Sequence, residues 1–236
     1  MRFLLTNDDG IDAPGLAALE AAVSDLGHAL VVAPDRHLSG CSHQVTFGPL
    51  SLERRADNRH SLSGTPVDCT RVGLVHLGGD IEWVLSGIND GGNLGADVYH
   101  SGTVAAVREA VLLGKPGIAI SHYRRRMEAV DWATAARWSE QLIRLLLDRP
   151  RAPSSFWNVN LPHLTPGSDL PEVVFCPLDP HPLPVAFHAE DGKLHYRGSY
   201  QDRASLLGHD VAVCFSGRVA VTQLVLPSRD GSDLAS

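Results

Sequence analysis

Hydrophobic residues in this chain fall in short unbroken runs, separated by stretches where they recur at helical intervals. Phe3-Leu4-Leu5 is such a run and stops at Asn7-Asp8-Asp9-Gly10; Pro14 then suits a first helical position, with Leu16, Leu19, Ala22, Val23 and Leu26 spaced as on a helix before Gly27. Ala29-Leu30-Val31-Val32-Ala33 is a second buried strand, closed by Pro34-Asp35. The order strand, helix, strand is a βαβ unit, which implies a parallel pair with a right-handed crossover. Residues 44–62 alternate through Val45, Phe47, Leu50 and Leu52 and suit an excursion or hairpin. Thr65-Pro66-Val67-Asp68 has a capping residue, a proline at N1 and an acid at N3, and starts a helix through about Leu77.

The pattern continues with a strand at Trp83-Val84-Leu85-Ser86, a glycine-rich stretch from Gly87 to Gly102, and a helix from Thr103 to Leu113 stopped by Gly114 and Pro116. Ile118-Ala119-Ile120 is a further strand, and Asp131 to Leu147 is a long amphipathic helix. After Phe156-Trp157-Asn158-Val159-Asn160-Leu161 the βα alternation is lost and Pro and His accumulate. The expectation is one α/β domain over 1–236, with a Rossmann-like three-layer core, a mostly parallel sheet, β-hairpin extensions, and a β-rich extension from about 178 to 226.

Composition narrows the function. A chain of 236 residues with 44% hydrophobic and 20% charged residues can bury a sizeable core. Its formal charge of −7 and pI near 5.9 argue against binding a nucleic-acid polymer, and the short Arg124-Arg125-Arg126 cluster suits a solvated loop. Cys41, Cys69, Cys176 and Cys214 show no CxxC spacing, so neither a zinc knuckle nor a disulfide framework is indicated, which suits a reducing compartment. No run is long enough for a signal peptide or a membrane span, so a cytoplasmic location is expected.

The candidate chemistry lies where strands end. In parallel α/β sheets ligands bind at the carboxyl edge, and three strands send oxygen-bearing residues there: Asp8-Asp9 after the first, Ser39-Gly40 after the second and Asn89 after the third. Two adjacent carboxylates repel unless a cation lies between them, and this oxygen set suits Mg²⁺ or Mn²⁺. An Asx-type turn with Gly10 as the bend is the alternative reading of the first loop. Ser101-Gly102-Thr103 opens a helix whose first N–H groups lack partners and whose N3 position holds no Glu or Gln whether Ser101 or Thr103 is the cap, a setting for phosphate or for plain capping. The histidines form no HExxH pattern; His100, beside the cradle, is the one near the candidate site.

These residues sit in blocks that resemble the stationary-phase survival nucleotidases, the SurE family: FLLTNDDGIDAPGL, VVAPDRHLSGCSHQVTF, GTPVDCTRVGL and SGINDGGNLGADVYHSGTVAAVREA, in that order, with NVNLP and GHDVAVCFSGRVAVTQL as later echoes. The resemblance implies a Rossmann-like core, divalent-metal-dependent removal of phosphate from nucleoside monophosphates, and a homo-oligomer. It places metal ligands on Asp8, Asp9, Ser39 and Asn89, one Mg²⁺ or Mn²⁺ per subunit, and phosphate contacts on Asn93, Ser101, Gly102 and Thr103; the expectation for the mechanism is that Asp8 or Asp9 takes the proton of the attacking water. Activity at the 5′ or 3′ position and on polyphosphate stays open. The chain differs from the family in having His100 before the Ser-Gly-Thr triplet and Gly208-His209-Asp210 near its end. Its short ending at 228–236 leads us to expect a homodimer, with a tetramer as the alternative.

Two other enzyme readings fail on residues. A haloacid-dehalogenase-type pattern would put Asn7 at the nucleophile position, where an amide cannot form an aspartyl phosphate, and no GxGxxG turn follows the first strand. A non-catalytic nucleotide- or metal-binding module on the same scaffold remains the alternative.

Overall fold

The computed structural model describes residues 1–125, 128–163 and 166–227. Arg126 and residues 228–236, on which the basic-cluster and short-ending expectations partly or wholly fall, lie outside the described residues. The strands are β1 (Arg2–Thr6), β2 (His28–Pro34), β3 (Leu52–Ala56), β4 (Arg59–Leu62), β5 (Trp83–Asp90), β6 (Gly117–His122), β7 (Ser155–Leu161), β8 (Val173–Phe175), β9 (Phe187–Glu190), β10 (Lys193–Tyr196) and β11 (Val219–Val225). The helices are α1 (Pro14–Val23), α2 (Pro66–Arg71), α3 (Gly102–Leu112), α4 (Trp132–Leu147) and α5 (Asp210–Phe215). A π-helical turn (Val72–Leu77) prolongs α2, and a 3₁₀ turn (Gly95–Tyr99) precedes α3.

Among the described residues the central sheet runs β3-β4-β2-β1-β5-β6-β7-β11-β8. β4, β2, β1, β5, β6 and β7 are mutually parallel; β3 is antiparallel to β4, and β11 to β7. The unbroken apolar runs are explained by cover on both faces. Phe3 and Leu5 of β1 pack with Leu16 and Leu19 of α1 and Trp138 and Leu142 of α4, whereas Leu4 packs with Cys69 of α2 and Ala110 of α3. Successive side chains of a strand point to opposite faces, so a run of three apolar residues serves two cores at once. Each Leu or Phe so buried contributes roughly 1.5–3 kcal/mol.

Local signals set the element starts. The Thr65 hydroxyl accepts from Asp68 N at 3.2 Å and Asp68 Oδ2 accepts from Thr65 N at 2.9 Å, a complete capping box at the expected place. Two expectations are corrected. β5 does not stop at Ser86 but runs to Asp90, because after a register shift Asn89 and Asp90 pair with Ser121 and His122 of β6; Asn89 is therefore at the end of a strand, not in the loop after it. Residues 178–226 are also less uniformly β than expected: they contain the exposed β9–β10 hairpin, helix α5, and β11, which lies inside the main sheet between β7 and β8.

Candidate active site

The turn after β1 is closed by Asn7: its Nδ2 donates to Gly10 O at 2.9 Å and its Oδ1 accepts from Gly10 N at 3.2 Å, with Gly10 at φ +104°. The Asx turn is thus the work of Asn7, and α1 begins at Pro14 after Ala13, which supplies no side-chain cap. Neither Asp8 nor Asp9 is consumed by turn or helix. Asp8 is buried, and its Oδ1 accepts a 2.6 Å hydrogen bond from the Thr103 hydroxyl on α3. A Cβ on Gly102 would lie 2.9 Å from Asp8 Oδ2 and 2.8 Å from Cys41 Sγ, so only glycine lets the helix start approach this carboxylate. Asp9 Oδ2 accepts from Asp90 N at 3.2 Å and Oδ1 faces His37 Nδ1 at 3.2 Å.

The loop after β2 is tied to both sides of the site. Leu38 N donates to Asp8 O at 2.7 Å, and Ser42 Oγ donates to Tyr99 O at 2.7 Å. Ser39 and Gly40 thereby come to line one cavity of about 260 Å³ together with Asp8, Asn89, Asn93, His100 and Ser101. Asn89 Nδ2 donates to Gly91 O at 2.8 Å. Asp9 lines a neighbouring cavity of about 430 Å³ with Asp35, His37, Asp90 and Trp132, so the two adjacent carboxylates open on two sides.

Ser101, not Thr103, caps α3, its Oγ accepting from Val104 N at 3.1 Å. Its own O–H remains to donate into the cavity. Thr103 is fully buried and its hydroxyl is spent on Asp8, so it supports the carboxylate from beneath rather than lining the cavity. Asn93 is held on every side: its N donates to Asn160 Oδ1 at 2.8 Å, its carbonyl accepts from Asn158 and Asn160, and its Nδ2 donates to Ser121 Oγ at 2.7 Å. Sequence reasoning missed Ser121, Asn158 and Asn160 as supports. The signal existed, since asparagines alternating with Val159 and Leu161 are out of character for a fully buried strand. It also missed Leu183 and Tyr200, which complete the cavity wall.

The electrostatics suit a cation. Burial pushes Asp8 up to about 6, against the Thr103 hydrogen bond that favours its charged form and with the Asp9 charge adding to the rise. Burial raises Asp9 as well, opposed by the Asp90 N–H and by His37. Among the described residues no three His, Cys, Asp or Glu side chains gather as a metal site. The donor set consists of two carboxylates completed by Ser and Asn oxygens, a chemistry that fits a hard dication retaining waters and not zinc. A dication there would relieve the repulsion and desolvation that raise both carboxyls.

A family model described as "Survival protein SurE" matches residues 3–179. A Nostoc sp. protein with a provisional 5′-nucleotidase name is 51% identical over 225 residues, covering 95% of this chain and 99% of that one. The Geotalea daltonii protein named 5′-nucleotidase SurE is 39% identical, over 89% of this chain and 79% of its own length. Among solved structures, the SurE protein from Aquifex aeolicus superposes with a TM-score of 0.84 at 32% identity, covering 98% of this chain and 95% of that one.

Proposed function

The chain belongs to the SurE family, and from that premise we propose that it is a phosphoric monoester hydrolase that releases phosphate from nucleoside monophosphates with the help of one divalent cation per subunit. The observation that supports this best is the convergence of Asp8, Ser39, Asn89, Asn93 and Ser101, from three strand ends and a helix start, on one small cavity.

Asp8, Ser39 and Asn89, which share the cavity, would hold the cation, with Asp9 reaching it from the neighbouring cavity that it lines. When bound, Mg²⁺ or Mn²⁺ supplies charge neutralisation for phosphoryl oxygens and a more acidic water. The chain's own groups do the rest. Ser101 Oγ–H, the second N–H of Asn93 Nδ2 and the Gly102 N–H at the start of α3 would donate to the phosphoryl oxygens, where the helix dipole also favours negative charge. Because Asn93 is clamped by Asn158, Asn160 and Ser121, it meets the phosphoryl group without reorganising. Asp8 or Asp9 would take the proton of the attacking water. In-line displacement then releases the nucleoside oxygen on the side opposite the attacking water.

We extend the reading to 3′-nucleotides and polyphosphate as further substrates, to a cytoplasmic setting in keeping with four unpaired thiols, and to a homodimer. No described helix is long and apolar enough to cross a membrane. The test is phosphate release across nucleoside 5′- and 3′-monophosphates, sugar phosphates and polyphosphate, before and after chelation and with Mg²⁺ or Mn²⁺ restored. Turnover that survives exhaustive chelation would sink the metal-dependent reading, and no release with any metal would leave a binding module.

A further inference from the structure

The cavity has two kinds of lining. Asp8, Ser39, Asn89, Asn93 and Ser101 supply polar lining, with Asp97 and His100 beside them, while Leu183 and Tyr200 are contributed by the segment that leaves and re-enters around the β9–β10 hairpin. That segment is tied down by a buried ion pair. Arg203 Nη1 lies 2.8 Å from Asp97 Oδ2, its Nη2 donates to Leu94 O at 3.0 Å, and its side chain is 1% exposed. Tyr200 donates its hydroxyl to the same Asp97 Oδ2 at 2.7 Å and stacks on Tyr123. Asp97 also accepts from Leu94 N at 3.0 Å, and its backbone carbonyl accepts from Ser101 N at 3.1 Å. One carboxylate therefore joins the wall to the phosphate side of the site.

We propose that Leu183 and Tyr200 form the surface that receives the nucleoside half of the substrate, and that Arg203 is a positioning residue holding that surface over the carboxylates through Asp97. The inference rests on the phosphatase reading above and specifies its leaving group. With the phosphoryl group on the polar lining, the leaving group faces an aliphatic side chain and an aromatic ring, which suits an uncharged ring system. A buried ion pair is not needed for stability, since apolar residues of like volume serve as well; what this one adds is a defined position for Tyr200 and the Gly95–Tyr99 turn.

Steady-state kinetics of the full chain with Mn²⁺ compare adenosine 5′-monophosphate with ribose 5-phosphate, which lacks the base. Leu183→Ala should lower the ratio of the two kcat/KM values about tenfold, the loss expected for a few methyl groups of apolar contact. Leu183 is partly exposed and outside the core clusters, so the variant keeps its fold. Arg203→Met should lower the ratio likewise, and Arg203→Lys should recover part of it. An equal fall for both substrates in Leu183→Ala overturns the wall, and an unchanged ratio in Arg203→Met overturns the positioning role. Wild-type protein that hydrolyses neither substrate overturns the phosphatase reading instead. In that case equilibrium dialysis with adenosine still decides the wall: weaker binding by Leu183→Ala supports it, and equal binding overturns it.

Discussion

The Thr103 hydroxyl donates a 2.6 Å hydrogen bond to Asp8 Oδ1 across 95 residues of chain, and both side chains are buried. A hydroxyl that the sequence places at a phosphate cradle is thus engaged with the carboxylate instead. It stabilises the charged form of Asp8 against the desolvation that raises it.

Thr103→Ala should therefore weaken cation binding as well as turnover. A hydrogen bond to a charged group is worth about 1.5–3 kcal/mol, so the cation affinity should fall about tenfold or more, and Thr103→Ser should restore it. Isothermal titration with Mn²⁺ on both variants reads this. Unchanged affinity in Thr103→Ala would return Thr103 to the phosphate.

Asp8→Asn should cost roughly a thousandfold or more in kcat while leaving the fold intact, because the site loses one of its two carboxylates and a group placed to take the proton. Circular dichroism confirms the fold and phosphate release gives the rate. More than a tenth of wild-type turnover at saturating metal would remove Asp8 from the mechanism.

His122, at the end of β6, is held down to about 4 by burial and by the nearby His163, and its buried Nδ1 has no hydrogen-bond partner among the described residues. A histidine kept neutral in the fold favours folding fully above its ordinary pKa of 6.5 and loses that contribution as the pH falls toward 4. Wild type should lose about 2 kcal/mol more than His122→Phe between pH 7 and 4.5. Urea unfolding at both pH values measures the difference, and equal losses would refute the assignment.

Phe187, Leu194 and Tyr196 stand exposed on the β9–β10 hairpin, which pairs with no other strand among the described residues. An isolated two-stranded hairpin is marginal in water, so a contact with a second copy is expected here. Leu194→Lys should shift a dimer toward monomer in light scattering without changing the melting transition of the monomer. A variant that keeps the wild-type mass would place the dimer contact elsewhere.

Much of this molecule can be read along the chain. Short apolar runs indicate strands covered on both faces, Thr65-Pro66-Val67-Asp68 starts its helix by contacts within one turn, and ordered blocks around Asp8, Ser39 and Asn89 identify the family. Such signals survive because they depend on residues three or four apart, or on a period. Other relationships depend on which elements become neighbours. β11 enters the sheet between β7 and β8 because of chain crossings that no local pattern records. Asp8 and Asp9 are adjacent in sequence yet open on different cavities, because the turn that Asn7 closes after β1 carries them apart. The Thr103 hydroxyl can serve either a ligand or a carboxylate, and only the approach allowed by Gly102 settles it on Asp8. Arg203 and Asp97 are 106 residues apart, and their pairing exists only once the segment after β10 has folded back over the site. A side-chain donor states what it can bond, and the packing of distant elements decides what it meets.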